Sequence, residues 1–280
     1  MGIFSGLGKF GLGNFEDTKV IDNKTSITRQ QIDQIAPKVE EKKEEDVLFD
    51  KHYVCPVCDL GFTSKCIKAG KLKVSGKDTD LRPLYDWVDP IKYDVISCDK
   101  CGYSSLTRFF GKLSTRQMKE IKEKIGDNFG GLNYSSDVYS YDDAIERYKL
   151  ALLSTVVKNA KNSERAYTCL RMAWVIRGKR ISVGSKSEEY KQLYFDELDC
   201  LKNAYDGFIL AISNEPFPIA GMDENTLKYI LADIARKLKK YDESVKLLGD
   251  VITSKTTNKR LKDEALKLKE LIKDELKKNT

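Results

Sequence analysis

The sequence predicts an α+β chain that is mainly α, with a small β-rich segment ahead of a series of antiparallel helix pairs. Three observations carry this. Two Cys-x-x-Cys pairs, at 55–58 and 98–101, bracket short β-rich runs broken by Gly, Pro and Asp. From Ser114 onward, apolar residues recur at helical spacing almost to the end of the chain. Three of those helices share one pattern of small and bulky residues. With 280 residues, 41% hydrophobic and 33% charged, the chain can bury one large core or two small ones. The expected division is an N-terminal arm over 1–46, a β-rich module over 47–113 and a helical domain over 114–280.

The arm holds five glycines in its first 13 positions and ends in the charged run VEEKKEED. Such a stretch has little to bury and is expected to be poorly ordered. Its apolar residues Ile3, Phe4, Leu7, Phe10 and Leu12 suit loose packing on the chain's own domain, and leave open peripheral contact with a partner or a membrane surface. Gly6, Gly8 and Gly11 match G-x-G-x-x-G spacing, but five preceding residues cannot supply the strand a dinucleotide site requires. Lys9 interrupts the apolar start and no small-residue cleavage site follows, so no signal peptide is read there. The cysteines are therefore expected in a reducing cytoplasm, where paired Cys-x-x-Cys indicates metal or redox chemistry rather than disulfides.

In the β-rich module, KLKVS (71–75) and YDVIS (93–97) are expected strands, the second running from Tyr93 to Ser97 and delivering the second cysteine pair. Zn²⁺ takes four soft donors in a tetrahedron, and each Cys-x-x-Cys turn curls around an ion to supply two of them. The expected ligands are Cys55, Cys58, Cys98 and Cys101, in a zinc-ribbon-like module. Gly102 follows the second pair and tolerates the positive φ of a tight knuckle. Asp59 stands at the equivalent place in the first. Lys51, Lys65 and Lys100 lie nearby in sequence to offset the charge of four thiolates. The gap between the pairs holds 39 residues, about twice the usual spacer, so something folds within it. A dithiol redox site needs a helix N-terminus in a βαβ unit beside one pair, and neither pair has that setting. Cys66 reads as a core residue of the insert, Cys169 and Cys200 as small buried residues of helices, and His52 as a surface or neighbouring group.

The helical domain opens with a capping box, Ser114 with Gln117, and its first helix closes at Gly126. Further helices are expected over 140–158, 163–177, 187–213, 224–239, 241–253 and 259–277. Ser185 with Glu188 reads as a second capping box, and Pro216 ends the longest helix. Ala144, Tyr148 and Ala151 have the small–aromatic–small spacing of a tetratricopeptide second helix. Ala204, Phe208 and Ala211 repeat it, and Ser244, Leu248 and Val251 form a degenerate third copy. The intervals of 60 and 40 residues imply an irregular tetratricopeptide-like array.

LFDKHYVCPVCDLGF followed by KLKVSGKDTDLRPLYDWVDPIKYDVISCDKCGYSS resembles the bacterial family catalogued as domain of unknown function 2225. The resemblance spans roughly 47–275 and is most specific at the two knuckles and the stretch from Asp80 to Tyr93. It implies a cysteine-paired, zinc-binding segment followed by tetratricopeptide-like helices, with Cys55, Cys58, Cys98 and Cys101 as metal ligands. It implies no activity.

No catalytic constellation is legible. One histidine cannot build a three-histidine site, four thiolates close a zinc shell, and H-E-x-x-H, G-x-S-x-G and P-loop patterns are absent from the sequence. No apolar run approaches the roughly 18–20 residues of a membrane span. The expectation is a cytoplasmic, non-enzymatic adaptor with one structural Zn²⁺ per chain, whose helical surface binds a protein or peptide. Nucleic-acid binding is the first alternative. Lys65, Lys68, Lys71, Lys73 and Lys77 fall in one acid-free stretch, with Phe62, Tyr85, Trp87 and Tyr93 nearby for base stacking. The net charge of +6 does not by itself demand a polyanion. A thiol-based sensor that releases zinc on oxidation is the second alternative.

Overall fold

The computed structural model describes residues 43–68, 70–111, 113–132 and 137–278. The expected N-terminal arm lies almost wholly outside them. Lys43 onward forms one compact unit. It opens with a 3₁₀ turn, Glu44–Val47, whose Glu44 carboxylate accepts from Lys92 Nζ at 2.9 Å and Tyr93 Oη at 2.7 Å.

Three antiparallel hairpins follow. β1 (Leu48–Val54) pairs with β2 (Gly61–Ile67), β3 (Val74–Lys77) with β4 (Pro83–Tyr85), and β5 (Val95–Ser97) with β6 (Ser104–Leu106). The first and third hairpins each carry a Cys-x-x-Cys pair at the turn. The expected strand over Tyr93–Ser97 is shorter at its start. Asp89 caps a 3₁₀ turn, Pro90–Tyr93, by accepting from Ile91 N, and Pro90 is pre-set for that first helical position. Tyr93 therefore ends a helical turn, and the strand begins at Val95.

Seven α-helices complete the described residues: α1 (Thr115–Lys124), α2 (Tyr141–Val157), α3 (Asn162–Val183), α4 (Glu189–Asn214), α5 (Glu224–Lys237), α6 (Tyr241–Thr253) and α7 (Lys259–Lys278). The chain is thus mainly α, with small antiparallel strand pairs. The capping box of Ser114 with Gln117 forms as expected, and Ser140 with Asp143 makes another at the start of α2. Two expectations need correction. The box at Ser185 with Glu188 does not form; α4 begins at Glu189, whose N–H is met by the Ser187 hydroxyl at 3.3 Å. And α3 runs through Gly178 to Val183 instead of stopping at 177. A Cβ on Gly178 would lie 2.5 Å from the Tyr141 ring, so the glycine serves close packing of α2 on α3 rather than termination.

All nine residues of the small–bulky–small pattern are fully buried: Ala144, Tyr148 and Ala151 on α2, Ala204, Phe208 and Ala211 on α4, and Ser244, Leu248 and Val251 on α6. They lie on every second helix, and all but Ser244 belong to one continuous apolar core that also takes in Ile91, Val95 and Leu106 of the β-rich segment. Successive helices pack in chain order, with α3 against α4 the most extensive. Ser244 donates to the Ala232 carbonyl at 2.6 Å, so the degenerate copy ties α6 to α5 by a hydrogen bond.

The insert between the cysteine pairs reaches deep into the helices. Its β3–β4 turn places Asp80, fully buried, against Arg177 of α3 and Lys237 of α5. Arg177 donates to Asp80 Oδ1 and Oδ2 at 3.0 and 2.5 Å, to Asp78 at 2.8 Å and to Glu197 at 2.7 Å. Thr79 donates to Asp233 at 2.8 Å while its carbonyl accepts from Tyr229 at 2.9 Å. Burial pushes the Asp80 carboxyl upward, but Lys237 and Arg177 outweigh it and hold the group well below the usual carboxylate range.

Replacing Asp80 by Asn should leave the buried Arg177 and the half-buried Lys237 short of a counter-charge and cost roughly 3–5 kcal/mol in urea unfolding. Because the folded-state pKa is depressed, the stability from Asp80 is complete above its unfolded value of about 3.9 and drains away as pH falls toward the folded value. Acid titration of wild type should show that loss below about pH 4, and the Asn variant should lack this component. At the buried Ala204, substitution by Trp should overpack α4 and cost about 1–3 kcal/mol or more, read from the same unfolding curves.

Candidate metal centre

The two cysteine knuckles are built alike. Cys55 N donates to the Leu60 carbonyl at 3.0 Å and Asp59 N to the Cys55 carbonyl at 2.9 Å. Cys98 N donates to the Tyr103 carbonyl at 2.8 Å and Gly102 N to the Cys98 carbonyl at 3.0 Å. The residue after each pair is left-handed, Asp59 at φ 59° and Gly102 at φ 71°. This matches the requirement read at both positions. Gly102 has a second reason to lack a side chain, since a Cβ would sit 2.5 Å from the Phe129 ring.

Both turns aim their sulfurs at one point. Cys55 Sγ and Cys101 Sγ are 3.5 Å apart, Cys58 Sγ and Cys98 Sγ 3.7 Å, and all four lie within 4.8 Å of one another. A tetrahedron with metal–sulfur bonds of about 2.3 Å has sulfur–sulfur edges of roughly 3.8 Å, so the donor set fits a tetrahedral thiophilic ion. The electrostatics agree. Contacts to Cys55 and Cys98, together with burial, push the Cys101 thiol far up, while Cys101 first and then Cys55 pull the Cys98 thiol well down. Crowded sulfurs alone tolerate little negative charge, and a metal cation held among them would let all four ionise.

The surroundings are apolar and partly helical. Cys55, Cys98 and Cys101 share a cluster with Val57, Phe62, Ile96, Tyr103, Ile121 and Ile125, so α1 closes one side of the site. Gly126, just past α1, comes close to the Cys101 Cβ, at 3.6 Å for a built Cβ. The Tyr53 and Phe62 rings that flank the first knuckle stack on each other, and Phe110 meets both edge-on.

Other residues singled out in the sequence lie elsewhere. His52 is exposed on β1 and outside the sulfur cluster. Cys66 is half-buried on β2, with Tyr53 Oη 3.5 Å from its sulfur. Cys169 is buried in the helical core and Cys200 packs against it. Of the lysines expected to offset the thiolates, Lys65 pairs with Asp50 and Asp137, Lys100 pairs with Asp99, and Lys51 sits over the Tyr53 ring. The five-lysine stretch does not form one free patch. Lys65 is so committed, Lys77 pairs with Glu264, and Lys68 donates to the Asp46 carbonyl, leaving Lys71 and Lys73 exposed with no ion partner among the described residues. Phe62 and Tyr93 are buried, while Tyr85 and Trp87 are partly exposed.

A second feature was not legible in the sequence. Beside the buried Asp80 network, α3, α4, α5 and α7 leave an open cavity of about 380 Å³. The Asp78–Thr79 turn forms part of its wall, with Arg180, Tyr194, Lys239 and Glu275 around it. No local pattern announces it, because its residues come from five separate stretches.

Fold and site define a protein with a four-cysteine metal site set against a helical array. Residues 48–274 match the family described as an uncharacterized protein conserved in bacteria (DUF2225), and the chain belongs to that family. No curated protein and no solved structure matches the chain.

Elemental analysis of the purified chain should find one thiophilic divalent ion, reduced to background by Cys98→Ser combined with Cys101→Ser. Gly102→Ala should weaken the site by roughly 1–2 kcal/mol from the left-handed backbone alone, with the Phe129 clash adding to it. Chelator titration should therefore strip the Ala variant at a lower chelator concentration than wild type.

Proposed function

We propose that this chain is a non-enzymatic adaptor in which a structural Zn²⁺ fixes the β-rich segment and a tetratricopeptide-like array binds a protein or peptide. Four cysteine sulfurs favour zinc over harder ions, and a shell closed by four thiolates leaves no position for substrate or activated water. The observation that carries the adaptor reading is the open cavity among α3, α4, α5 and α7. Its wall combines cations, carboxylates and Tyr194, and the neighbouring Phe195 is 52% exposed. A mixed polar wall beside an exposed aromatic suits a peptide rather than a small apolar ligand. No helix among the described residues is long and apolar enough to cross a membrane, and a cytoplasmic location is part of the proposal.

A photo-crosslinking residue at Phe195 should capture a specific protein from the native cell. The capture should fall at least several-fold with Tyr194→Ala or Lys239→Glu, while a crosslinker at the exposed Leu153 of α2 should not capture it. Salt-dependent binding of single-stranded RNA, lost when Lys68, Lys71 and Lys73 are neutralised, would instead establish the nucleic-acid reading.

A further inference from the structure

Where the strand β4 and the Pro90 turn meet α3, a small cavity of about 100 Å³ is lined by Arg82, Tyr85, Asp89, Pro90, Arg171 and Trp174. It is separate from the metal site and from the cavity invoked above. Arg82 and Trp174 are each only 5% exposed, yet Arg82 Nε and Nη1 and Trp174 Nε1 have no hydrogen-bond acceptor among the described residues. These atoms can only donate, so they cannot satisfy one another. The acceptors close by are already engaged. Asp89 accepts from Arg82 Nη2 at 2.6 Å, Tyr141 Oη at 3.1 Å and Ile91 N at 3.3 Å. Asp94 takes both Nε and Nη2 of Arg171, at 3.0 and 2.8 Å, and Asp78 stands 3.7 Å from Arg82 Nη1, beyond hydrogen-bond range.

Buried donors of this kind normally have partners. What satisfies these must bring oxygen acceptors and fit a space a few atoms across. Arg171 is neutralised by Asp94, but Arg82 keeps two guanidinium nitrogens unsatisfied beside a carboxylate it shares with Tyr141 and Ile91, which favours an acceptor-rich anion over a neutral guest. The cavity's remaining walls, the rings of Tyr85 and Pro90 and the Trp174 indole, suit the short apolar stem behind a carboxylate. We propose that this cavity is a carboxylate-binding site in which Arg82 and Trp174 are the donors. The carboxylate comes either from a small free acid or from an Asp or Glu side chain of a bound partner.

The test uses the full-length, metal-loaded chain labelled with ¹⁵N. It has two tryptophans, so the indole N–H of Trp174 is assigned by its loss in Trp174→Phe. Sodium acetate, titrated against sodium chloride at equal ionic strength and pH 7, should shift the Trp174 indole signal saturably and leave Trp87 nearly unmoved. A blocked Gly-Glu-Gly peptide, whose only carboxylate is the side chain, forms the second arm. Saturation by acetate but not the peptide assigns a free acid; saturation by the peptide as well assigns a partner's side chain. Ligand-observed line broadening of ¹³C-acetate should show Trp174→Phe binding about three- to tenfold more weakly at an unchanged melting temperature, the loss expected for one hydrogen bond. A linear, non-saturating shift with both ligands, equal to that from chloride, means that water alone fills the cavity and overturns the proposal. So would undiminished acetate binding in both Trp174→Phe and Arg82→Lys.

Discussion

The Asp80 carboxylate has no exposed surface, and the placement of much of the molecule follows from the need to neutralise it. A charge so far from water is tolerable only with opposite charges and hydrogen bonds around it. Arg177 and Lys237 supply them, and each is held in turn. Arg177 also binds Glu197 and Asp78, and Lys237 also binds Asp233. The network therefore fixes the spacing of α3, α4 and α5 around one loop from the β-rich segment. Its pairs link residues 97 and 157 positions apart, so it acts as a long-range clamp rather than local support.

The insert between the cysteine pairs is held by different chemistry at its ends and its middle. At its ends the two knuckles converge within 4.8 Å, and a metal ion there would close the loop. In the middle the Asp78–Arg82 turn is clamped by ion pairs to the helices. Between them, Arg147 of α2 donates to the Ser64 hydroxyl at 3.0 Å and the Val95 carbonyl at 2.9 Å, joining the first and third hairpins through one helix. A two-stranded hairpin alone is marginal in water. Each of the three gains its stability from elements outside itself.

The metal site was the most legible part of the chain, because Cys-x-x-Cys spacing is local chemistry. Even the backbone demand at Asp59 and Gly102 can be read without tertiary information. Helices were legible to within a residue or two where a cap or proline marked the end. The expected end of α3 at 177 fell six residues short, because the helix continues through Gly178, which packs against the Tyr141 ring. Ser185 with Glu188 misled because the helix starts later, with Glu188 itself at the N-cap and Ser185 three residues before it. The burial of Ala144, Ala204 and Ser244 followed from spacing alone. The roles of Asp80, Arg177 and Lys237 did not, since charged residues read as surface until a partner from a distant stretch is known. For the same reason, two of the five lysines read as one patch, Lys65 and Lys77, turn out to pair with acidic residues on other elements.

The order in which the chain leaves the ribosome gives the Asp80 clamp a further consequence. All four sulfurs have been synthesised by residue 101, so the metal site can close while most helices do not yet exist. Asp80 must wait for Lys237, a lag of roughly 8–30 s at about 5–20 residues per second. During that interval the insert, with seven basic and six acidic residues, carries Asp80 without its α5 partner. The last cation delivered to Asp80 comes from α5, so only a chain synthesised past that helix can complete the clamp.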